Sequence, residues 1–235
     1  MVHSPLISAR GISYVYPDGS MGVQDVSIEI FRGERVGIVG PNGSGKSTLI
    51  FLLSGLLKPT KGEVRIFGLT PDKKNFESIR RKIGVVFQNP DDFLFNPTVR
   101  DELLYVPRQL ELSEENMRQL LLEYSEMFDL KEILHKPPFR LSGGEKKKVE
   151  IASVLIYRPE VIFLDEPTAN VDGKTKRMVA EMMRKYEGTI VITSHELEII
   201  KRLCNRVILM SKGRIVEDTT INTLDERMLE EIGVV

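Results

Sequence analysis

The chain has 235 residues, a length that suits one domain with a full hydrophobic core rather than two. Charged residues make up 29% of it, but the net charge is only -1, so no overall basic field points to nucleic acid or to an anionic membrane surface. Its longest apolar run is far below the roughly 20 residues of a membrane-spanning helix, and its first residues lack a signal-peptide pattern. We therefore expect a cytosolic chain whose single cysteine, Cys204, is a buried apolar residue.

Two strands near the start of the chain predict an antiparallel β layer. Residues 6–16 have strand character and end at Tyr16, whose ring can either stack on a purine base or pack locally. After a turn at residues 17–19, apolar and polar residues alternate over 26–30, which is the period of a half-buried antiparallel strand.

A glycine-rich loop at residues 40–48 matches the phosphate-loop pattern G-x-x-x-x-G-K-[ST] at every constrained position. A short apolar strand over 35–39 precedes it, and leucines at helical spacing follow it as far as Leu57, where we expect the helix to end. The backbone N–H groups of such a loop converge on phosphate oxygens, Lys46 reaches the β- and γ-phosphates, and Ser47 places its hydroxyl on Mg²⁺. The residues predicted to bind the nucleotide here are Gly40, Asn42, Gly43, Ser44, Gly45, Lys46, Ser47 and Thr48.

Gln88 follows the next buried strand, predicted over residues 83–87. A polar side chain at the carboxyl end of such a strand lies where α/β sheets bind ligands, although a glutamine that simply starts a loop is the plainer alternative. From residue 89 to residue 157 the pattern turns helical, and we expect an inserted helical subdomain there. Two of its helices have predicted N-caps, Thr98 and Ser113.

The segment Leu141-Ser142-Gly143-Gly144-Glu145 leads into another helical pattern, and Ser142 and Glu145 have capping-box spacing. Two glycines and a serine at a helix start make a second potential anion site. The segment resembles the signature motif of the ATP-binding subunits of ABC transporters, normally written LSGGQ, with Glu145 in place of the glutamine. By this resemblance, four residues bind nucleotide: Ser142, Gly143, Gly144 and Glu145.

The apolar segment 161–166 ends in two acids and is similar to the Walker B motif of the same family. Because consecutive strand residues point to opposite faces, we expect the two acids to have different tasks. The resemblance implies that Asp165 holds Mg²⁺ through water and that Glu166 polarises the attacking water.

Two later segments also match the family in chain order. Residues 169–172 resemble the D-loop of the dimer interface, with Asp172 as its acid, although Val171 replaces the usual leucine and Gly173 stands where proline is common. His195 follows a predicted strand at the place of the switch histidine, and the resemblance implies contact with the γ-phosphate. A lone histidine is otherwise more often structural.

The resemblance covers essentially the whole chain and implies an α/β fold: a P-loop NTPase (RecA-like) core with an N-terminal antiparallel β layer and an inserted helical subdomain. We expect residues 1–235 to form a single ATPase domain. Residues 1–88 and 158–235 would make the β layer and the nucleotide-binding core, and residues 89–157 the Q-loop and the helical subdomain.

The resemblance also implies hydrolysis of ATP with Mg²⁺, with two ATP molecules sandwiched between head-to-tail ATPase subunits. Each nucleotide would contact the phosphate loop of one subunit and the signature motif of the other. The catalytic residues are then Lys46, Gln88, Glu166 and His195. The Mg²⁺ ligands are Ser47, Gln88 and Asp165. Tyr16 and Asp172 complete the predicted nucleotide contacts.

Residues 87–95 look like the Q-loop region of energy-coupling-factor and cobalt/nickel importers, which usually carry a second glutamine at the place of Phe93. By this likeness the chain powers uptake of a vitamin or a transition-metal ion at the cytoplasmic face of the membrane. Its partners would be a second ATPase subunit, identical or paralogous, and a membrane subunit docked near the Gln88 loop.

Other functions stay open at this point. They are a soluble ABC ATPase acting on nucleic acid or ribosomes, an ABC exporter subunit, and a nucleotide-binding regulator without catalysis. The near-neutral charge disfavours nucleic acid, and the presence of both Glu166 and His195 disfavours the regulator. The apolar residues within 93–97 form either a docking surface or local core.

Overall fold

The strands of the computed structural model, which describes residues 4–231 and 233, form two sheets. Three strands make an antiparallel layer in the order β2-β1-β4, and six make a second sheet in the order β5-β6-β7-β3-β8-β9, parallel except for β9. The predicted antiparallel layer is therefore confirmed. The strands are β1 Ile7–Val15, β2 Met21–Ile30, β3 Arg35–Val39, β4 Lys61–Ile66, β5 Ile83–Val86, β6 Val161–Asp165, β7 Thr189–Thr193, β8 Arg206–Ser211 and β9 Arg214–Thr220.

The helices begin where local capping chemistry predicts them in three cases. The N-cap hydroxyls of Thr98, Ser113 and Ser142 accept backbone N–H groups three residues on, at 3.1, 3.2 and 3.3 Å. Residues 89–157, all of them described, contain no strand, although the division into core and inserted subdomain stays a prediction. The α-helices are α1 Lys46–Leu53, α2 Phe76–Arg80, α3 Val99–Gln109, α4 Glu114–Met127, α5 Gly143–Leu155, α6 Gly173–Lys185, α7 Leu197–Leu203 and α8 Glu226–Glu231.

Helix α1 is shorter than its leucine spacing predicts. It ends at Leu53, so the expectation of a helix as far as Leu57 was wrong. Gly55 adopts a φ of 76°, in the left-handed region that continues no α-helix and that glycine enters at little cost. The pattern failed because Leu57 still packs against the apolar core after the chain has turned.

The six-stranded sheet lies between two apolar clusters, and β6 contributes to both. Val161 and Phe163 pack with the antiparallel layer and α1, whereas Ile162 and Leu164 pack with the helices α3 to α6. This alternation buries the whole strand. Because β3, β5, β6 and β7 are parallel, the segments that follow them emerge at one edge of the sheet, where ligands bind in folds of this type.

A membrane span would need a longer and more apolar helix than any found in the part of the chain that the structure describes.

Candidate active site

A cleft of about 700 Å³ opens at the carboxyl edge of the six-stranded sheet. It is lined by side chains and backbone from widely separated parts of the chain, which the parallel strand order brings together. Most residues predicted for the nucleotide are among them: Tyr16, Gly40, Asn42, Gly43, Ser44, Gly45, Lys46, Ser47, Thr48, Gln88, Glu166 and His195.

The phosphate loop leaves polar groups available to a ligand. The N-cap of α1 is Gly45, with a φ of 98°, and no side chain within the described residues caps the helix. Ser44 Oγ is buried and finds no hydrogen-bond partner within residues 4–231 and 233. A Cβ on Gly40 would lie 2.3 Å from the Met210 carbonyl oxygen and 2.6 Å from Ser44 Oγ, so that position needs glycine. An unpaired hydroxyl beside uncapped helix N–H groups suits the oxygens of a phosphate.

Lys46 brings a positive charge to this loop. The residue is 7% exposed, and its Nζ donates to the carbonyl oxygens of Gly40 at 2.8 Å and of Pro41 at 3.1 Å. Burial lowers the pKa of Lys46, while the nearby Glu166 and Asp165 carboxylates act in the opposite direction. The amine therefore lies between the loop and the two acids, as a phosphate-binding lysine requires.

The two acids at the end of β6 differ in position. Asp165 is 2% exposed, and its Oδ1 accepts from Thr193 Oγ1 at 2.7 Å. Glu166 lies beyond the strand with a φ of 45°, its N–H donates to the same Thr193 oxygen at 2.9 Å, and it lines the cleft. The two acids thus have different surroundings, and their different tasks stay a prediction. Strand alternation is not the cause of the difference. A left-handed residue after the strand end separates the two carboxylates.

His195 is paired with Glu166. Its Nδ1 lies 2.8 Å from Glu166 Oε2, and its backbone N–H donates to the same oxygen at 3.2 Å. An ionised carboxylate only accepts hydrogen bonds, so toward such a group Nδ1 is the donor of this contact, and Nε2 is the ring nitrogen that it leaves unused. The His195 side chain is 61% exposed at the cleft while Glu166 is buried, so the carboxylate orients the ring.

Two of the three predicted Mg²⁺ ligands, Ser47 and Gln88, line the cleft. Asp165 does not line it and is held by the hydrogen bond from Thr193. A hydroxyl, an amide and a carboxylate are the hard oxygen ligands that Mg²⁺ uses together with substrate phosphates. No group of three or more His, Cys, Asp or Glu side chains placed to hold a metal occurs in the described residues, and Mg²⁺ bound through phosphates does not need one.

Tyr16 is fixed at the rim of the cleft. Its hydroxyl lies 2.8 Å from Thr48 Oγ1, and its ring packs edge-on against Tyr14 with the centroids 5.0 Å apart. The local packing considered for this ring is thus present, and stacking on a base stays a prediction.

Five predicted nucleotide contacts, all in the described part of the chain, do not line the cleft: Ser142, Gly143, Gly144, Glu145 and Asp172. Ser142 is exposed, and its N–H and hydroxyl donate to Glu145 Oε2 at 2.8 and 2.7 Å, which completes the predicted capping box. Asp172 caps α6 by accepting the N–H groups of Lys174 and Thr175 at 2.8 and 2.9 Å. These residues belong to a separate surface of the chain.

Several residues at the site were not predicted as site residues, although Pro41 lies in the phosphate loop and Ala169 and Asn170 lie in the segment that resembles the D-loop. Thr193, which binds both acids, is the last residue of β7 and is opposite Asp165 in the parallel register, so it could be found only once the strand pairing was known. Asn170 has a φ of 57°, a conformation that asparagine tolerates better than most residues. The other unpredicted residues that line the cleft are Met21, Gly22, Pro41, Ala169 and Gly233.

Known proteins resemble the chain over nearly its whole length. The family described as ABC transporter matches residues 23–169. A protein of Archaeoglobus fulgidus, named as an ABC transporter ATP-binding protein, is 62% identical over 98% of this chain and 98% of its own length. The energy-coupling factor transporter ATP-binding protein EcfA of Methanothermobacter thermautotrophicus is 42% identical over 92% of this chain and 71% of its own length.

Solved structures give the same picture. CbiO1 of Clostridium perfringens, described as part of the ABC transporter complex CbiONQ, is 31% identical with a TM-score of 0.78, covering 93% of this chain and 89% of that one. An ATP-binding cassette solved as a dimer in a post-hydrolysis state, bound to ADP and Pi, is 29% identical with a TM-score of 0.83, covering 93% of this chain and 100% of that one.

Proposed function

Since the chain belongs to the ABC transporter family as one of its ATPase subunits, we propose that it powers a membrane importer of the energy-coupling-factor type. The cargo of such an importer would be a vitamin or a transition-metal ion such as cobalt or nickel. The predicted P-loop NTPase fold is confirmed by its likeness to the solved cassettes. The importer type rests on the likeness to EcfA and CbiO1 together with the loop after Gln88.

The observation that carries the ATPase function is the meeting of Lys46, Gln88, Glu166 and His195 around one cleft. Phosphoryl transfer to water needs positioning and charge stabilisation more than covalent chemistry. Lys46 and the loop N–H groups would stabilise the charge on the phosphate oxygens. Glu166 would take the proton of the attacking water, and His195, held by Glu166, would offer Nε2 to the same region.

Ser47, Gln88 and Asp165 would hold Mg²⁺. When bound, this ion neutralises charge that develops on the phosphate oxygens. Thr193 would orient the Asp165 carboxylate through its 2.7 Å hydrogen bond. Removing the Thr193 hydroxyl would change the orientation of the Asp165 carboxylate, a predicted Mg²⁺ ligand, and would leave the phosphate loop unchanged.

The proposed arrangement has two head-to-tail subunits with ATP between them. The signature residues Ser142 and Gly143 are exposed outside the cleft of their own chain, so a second molecule can reach them. The similar cassette that was solved as a dimer supports this arrangement. At each nucleotide site, one subunit would supply the phosphate loop and the other subunit the signature motif.

A membrane subunit would dock beside the Gln88 loop, at the cytoplasmic face of the membrane. Phe95 is 66% exposed and packs edge-on against the exposed ring of Tyr105, with the centroids 5.0 Å apart. Phe93 and Leu94, which precede it, pack against the core instead. The local-core interpretation therefore holds for Phe93 and Leu94, and the exposed Phe95–Tyr105 pair is the part that we propose as the docking surface.

Replacing Glu166 by glutamine tests the catalytic assignment. We expect Glu166→Gln to slow ATP hydrolysis by about 10²- to 10⁴-fold, the usual contribution of a general base, because the amide cannot take the proton of water. ATP affinity should stay within about twofold, since the phosphate loop is untouched. Phosphate release measures the first quantity and titration with a fluorescent ATP analogue the second.

Glu181→Gln is the matched control, because Glu181 is a surface carboxylate paired with Arg184 outside the cleft. A Glu166→Gln protein that hydrolyses ATP at the wild-type rate would refute the role of Glu166. The transport assignment needs a second measurement, in which the native complex is isolated from membranes and its subunits are identified. An assembly with nucleic acid or ribosomes and no membrane subunit would favour the soluble ATPase instead, and an exporter subunit in the complex would refute import.

A further inference from the structure

Helix α5 buries an ion pair that the catalytic assignments leave unused. Lys147 and Glu150 lie one turn apart, Nζ is 2.8 Å from Oε2, and both side chains are 0% exposed. Removing two charges from water is costly unless further hydrogen bonds satisfy them. The further hydrogen-bond partners of Lys147 and Glu150 therefore indicate the role of the ion pair.

Those groups belong to the backbone just after β5. Glu150 Oε1 accepts the N–H of Phe87 at 2.6 Å, and Lys147 Nζ donates to the carbonyl oxygens of Phe87 at 2.7 Å and of Gln88 at 3.3 Å. The pair thus binds both backbone groups of Phe87 and also reaches the carbonyl oxygen of Gln88. Gln88, whose backbone is held in this way, lines the cleft as a predicted Mg²⁺ ligand.

Further contacts tie the same loop to the helices that follow it. Lys146 on α5 forms a 2.6 Å ion pair with Asp91. Glu102 on α3, which is 2% exposed, accepts the N–H groups of Phe95 and Asn96 at 3.1 and 2.8 Å. The loop is consequently bound to α5 at its start and to α3 at its end.

We propose that Lys147 and Glu150 are positioning residues for Gln88, which couple the signature motif at the start of α5 to the Mg²⁺-binding part of the cleft. This inference rests on the proposed function. Gly143 opens the helix, and at 1.5 Å per residue it lies only about 6 Å along the axis from Lys147. A displacement of the signature motif by a second subunit would carry the helix, and with it the backbone of Gln88.

A purely structural ion pair makes a different prediction. Apolar residues of similar volume often replace a buried pair at no cost in stability, so the exchange would leave the active site intact. A positioning pair loses function on that exchange even when the protein stays folded, because the Phe87 and Gln88 backbone groups lose their partners.

The test is a double-mutant cycle in the full chain between the apolar pair Lys147→Met/Glu150→Leu and Gln88→Ala. We expect the apolar pair to lower kcat roughly tenfold and to raise the Mg²⁺ concentration for half-maximal rate, with the KM for ATP within about twofold. In the Gln88→Ala background the same exchange should cause no further loss, because the two changes act on one group. Equal losses in both backgrounds would overturn the inference, and so would a wild-type rate in Gln88→Ala.

Hydrogen–deuterium exchange of the nucleotide-free protein gives a readout that does not depend on activity. The peptide that covers residues 87–96 should exchange at least about fivefold faster in the apolar pair, since exchange follows local opening. Unchanged exchange would overturn the inference. Lys131→Met/Glu126→Leu is the matched control, because this exposed pair, 2.7 Å apart, lies in the same helical region. It should change neither rate nor exchange.

Lys147→Gln/Glu150→Gln is measured beside the apolar pair and replaces it in the cycle if the apolar pair does not fold. It keeps an acceptor for the Phe87 N–H and a donor toward the Phe87 carbonyl, so it should retain more of the wild-type rate than the apolar pair. If it retains less, the inference fails. A wild-type protein without ATP hydrolysis would refute the proposed function itself, whereas additive losses in an active protein refute only the role of the pair.

Discussion

Two helices of this protein, α1 and α5, begin with glycine-rich segments, and the two helix starts differ in whether side chains of the same chain cap them. At α1 the N-cap is Gly45, no side chain of the described residues caps the helix, and Ser44 Oγ is buried without a partner in that part of the chain. At α5 the N-cap is Ser142, whose side chain and backbone form a complete capping box with Glu145. The first helix start lines a cleft, whereas the second lies on the exposed surface.

The difference shows that a glycine-rich helix start is not by itself a binding site. The α1 start has polar groups that its own chain leaves available, so a phosphate supplies the missing hydrogen bonds. At the α5 start the capping box satisfies the N–H groups of Ser142 and Glu145, and the exposed start stays accessible. In the proposed arrangement the nucleotide that reaches it is bound to the phosphate loop of a second molecule, so the site is shared between subunits.

The strongest test of this difference is to inactivate the α1 start in one chain and the α5 start in another, and then to mix the two chains. We expect Lys46→Ala and Gly143→Asp each to reduce ATP hydrolysis by at least about 10²-fold. Lys46→Ala removes a positive charge that stabilises the phosphate, and Gly143→Asp adds a negative charge that repels it. Mixed dimers pair the intact phosphate loop of one chain with the intact signature of the other, so an equimolar mixture should recover about one quarter of the wild-type rate. Phosphate release before and after mixing measures the recovery.

Gly143→Asp should not cause a clash, because no described atom outside its chain neighbours and the backbone of its own helix lies within 4 Å of a Cβ built on Gly143. Aspartate is also favoured in the first turn of a helix, so the variant should fold. Mass spectrometry of the mixture shows whether mixed dimers form. Mixed dimers without recovered hydrolysis would mean that each chain uses its own signature motif, contrary to the shared site.

The second change alters charge at the α5 start while keeping its cap. A hydrogen bond from the Ser142 backbone N–H lowers the pKa of the Glu145 carboxyl below its usual range, so this carboxyl is ionised at neutral pH beside the predicted phosphate position. Glutamine keeps the acceptor and removes the charge. We expect Glu145→Gln to lower the ATP concentration for half-maximal dimerisation about fivefold, the effect of one weak charge repulsion in a solvated site.

The measurement uses light scattering across an ATP titration, with Glu166→Gln present to slow hydrolysis. Glu145→Ala is the control, because it removes both the charge and the capping box and should cost about 1 kcal/mol of stability. Association that weakens in Glu145→Gln would show that the carboxylate itself contributes to the interface.

Much of the fold follows from local sequence chemistry. Ser142 and Glu145, three residues apart, predict a helix start with a capping box, and this prediction is confirmed. The alternation over residues 26–30 matches the buried and exposed pattern of β2. The cleft residues were predictable because the phosphate loop and the acids at the end of β6 are motifs, and the carboxyl ends of parallel strands meet at one edge of a sheet.

The parts that escaped prediction depend on contacts between distant segments. Lys147 and Glu150 lie within a run of charged and apolar residues that a solvated helix face would also show, and their backbone partners lie 59 to 63 positions away in the chain. Thr193 needed the register of two strands to be known. The end of α1 was missed for a related reason, since Leu57 packs on the core in a turn just as it would in a helix.

The smallest effect concerns two glycines whose backbone conformations differ. Apart from chain neighbours and the backbone of the same helix, no described atom lies within 4 Å of a Cβ built on Gly43 or Gly143, but Gly43 has a φ of 77° and Gly143 opens helix α5. We expect Gly43→Ala to lower the free energy of unfolding by about 1–2 kcal/mol, the cost of a left-handed non-glycine residue. Gly143→Ala should leave it within about 1 kcal/mol or raise it, since alanine restricts the unfolded chain. Urea unfolding without nucleotide measures both, and equal losses would mean that conformation does not separate the two helix starts.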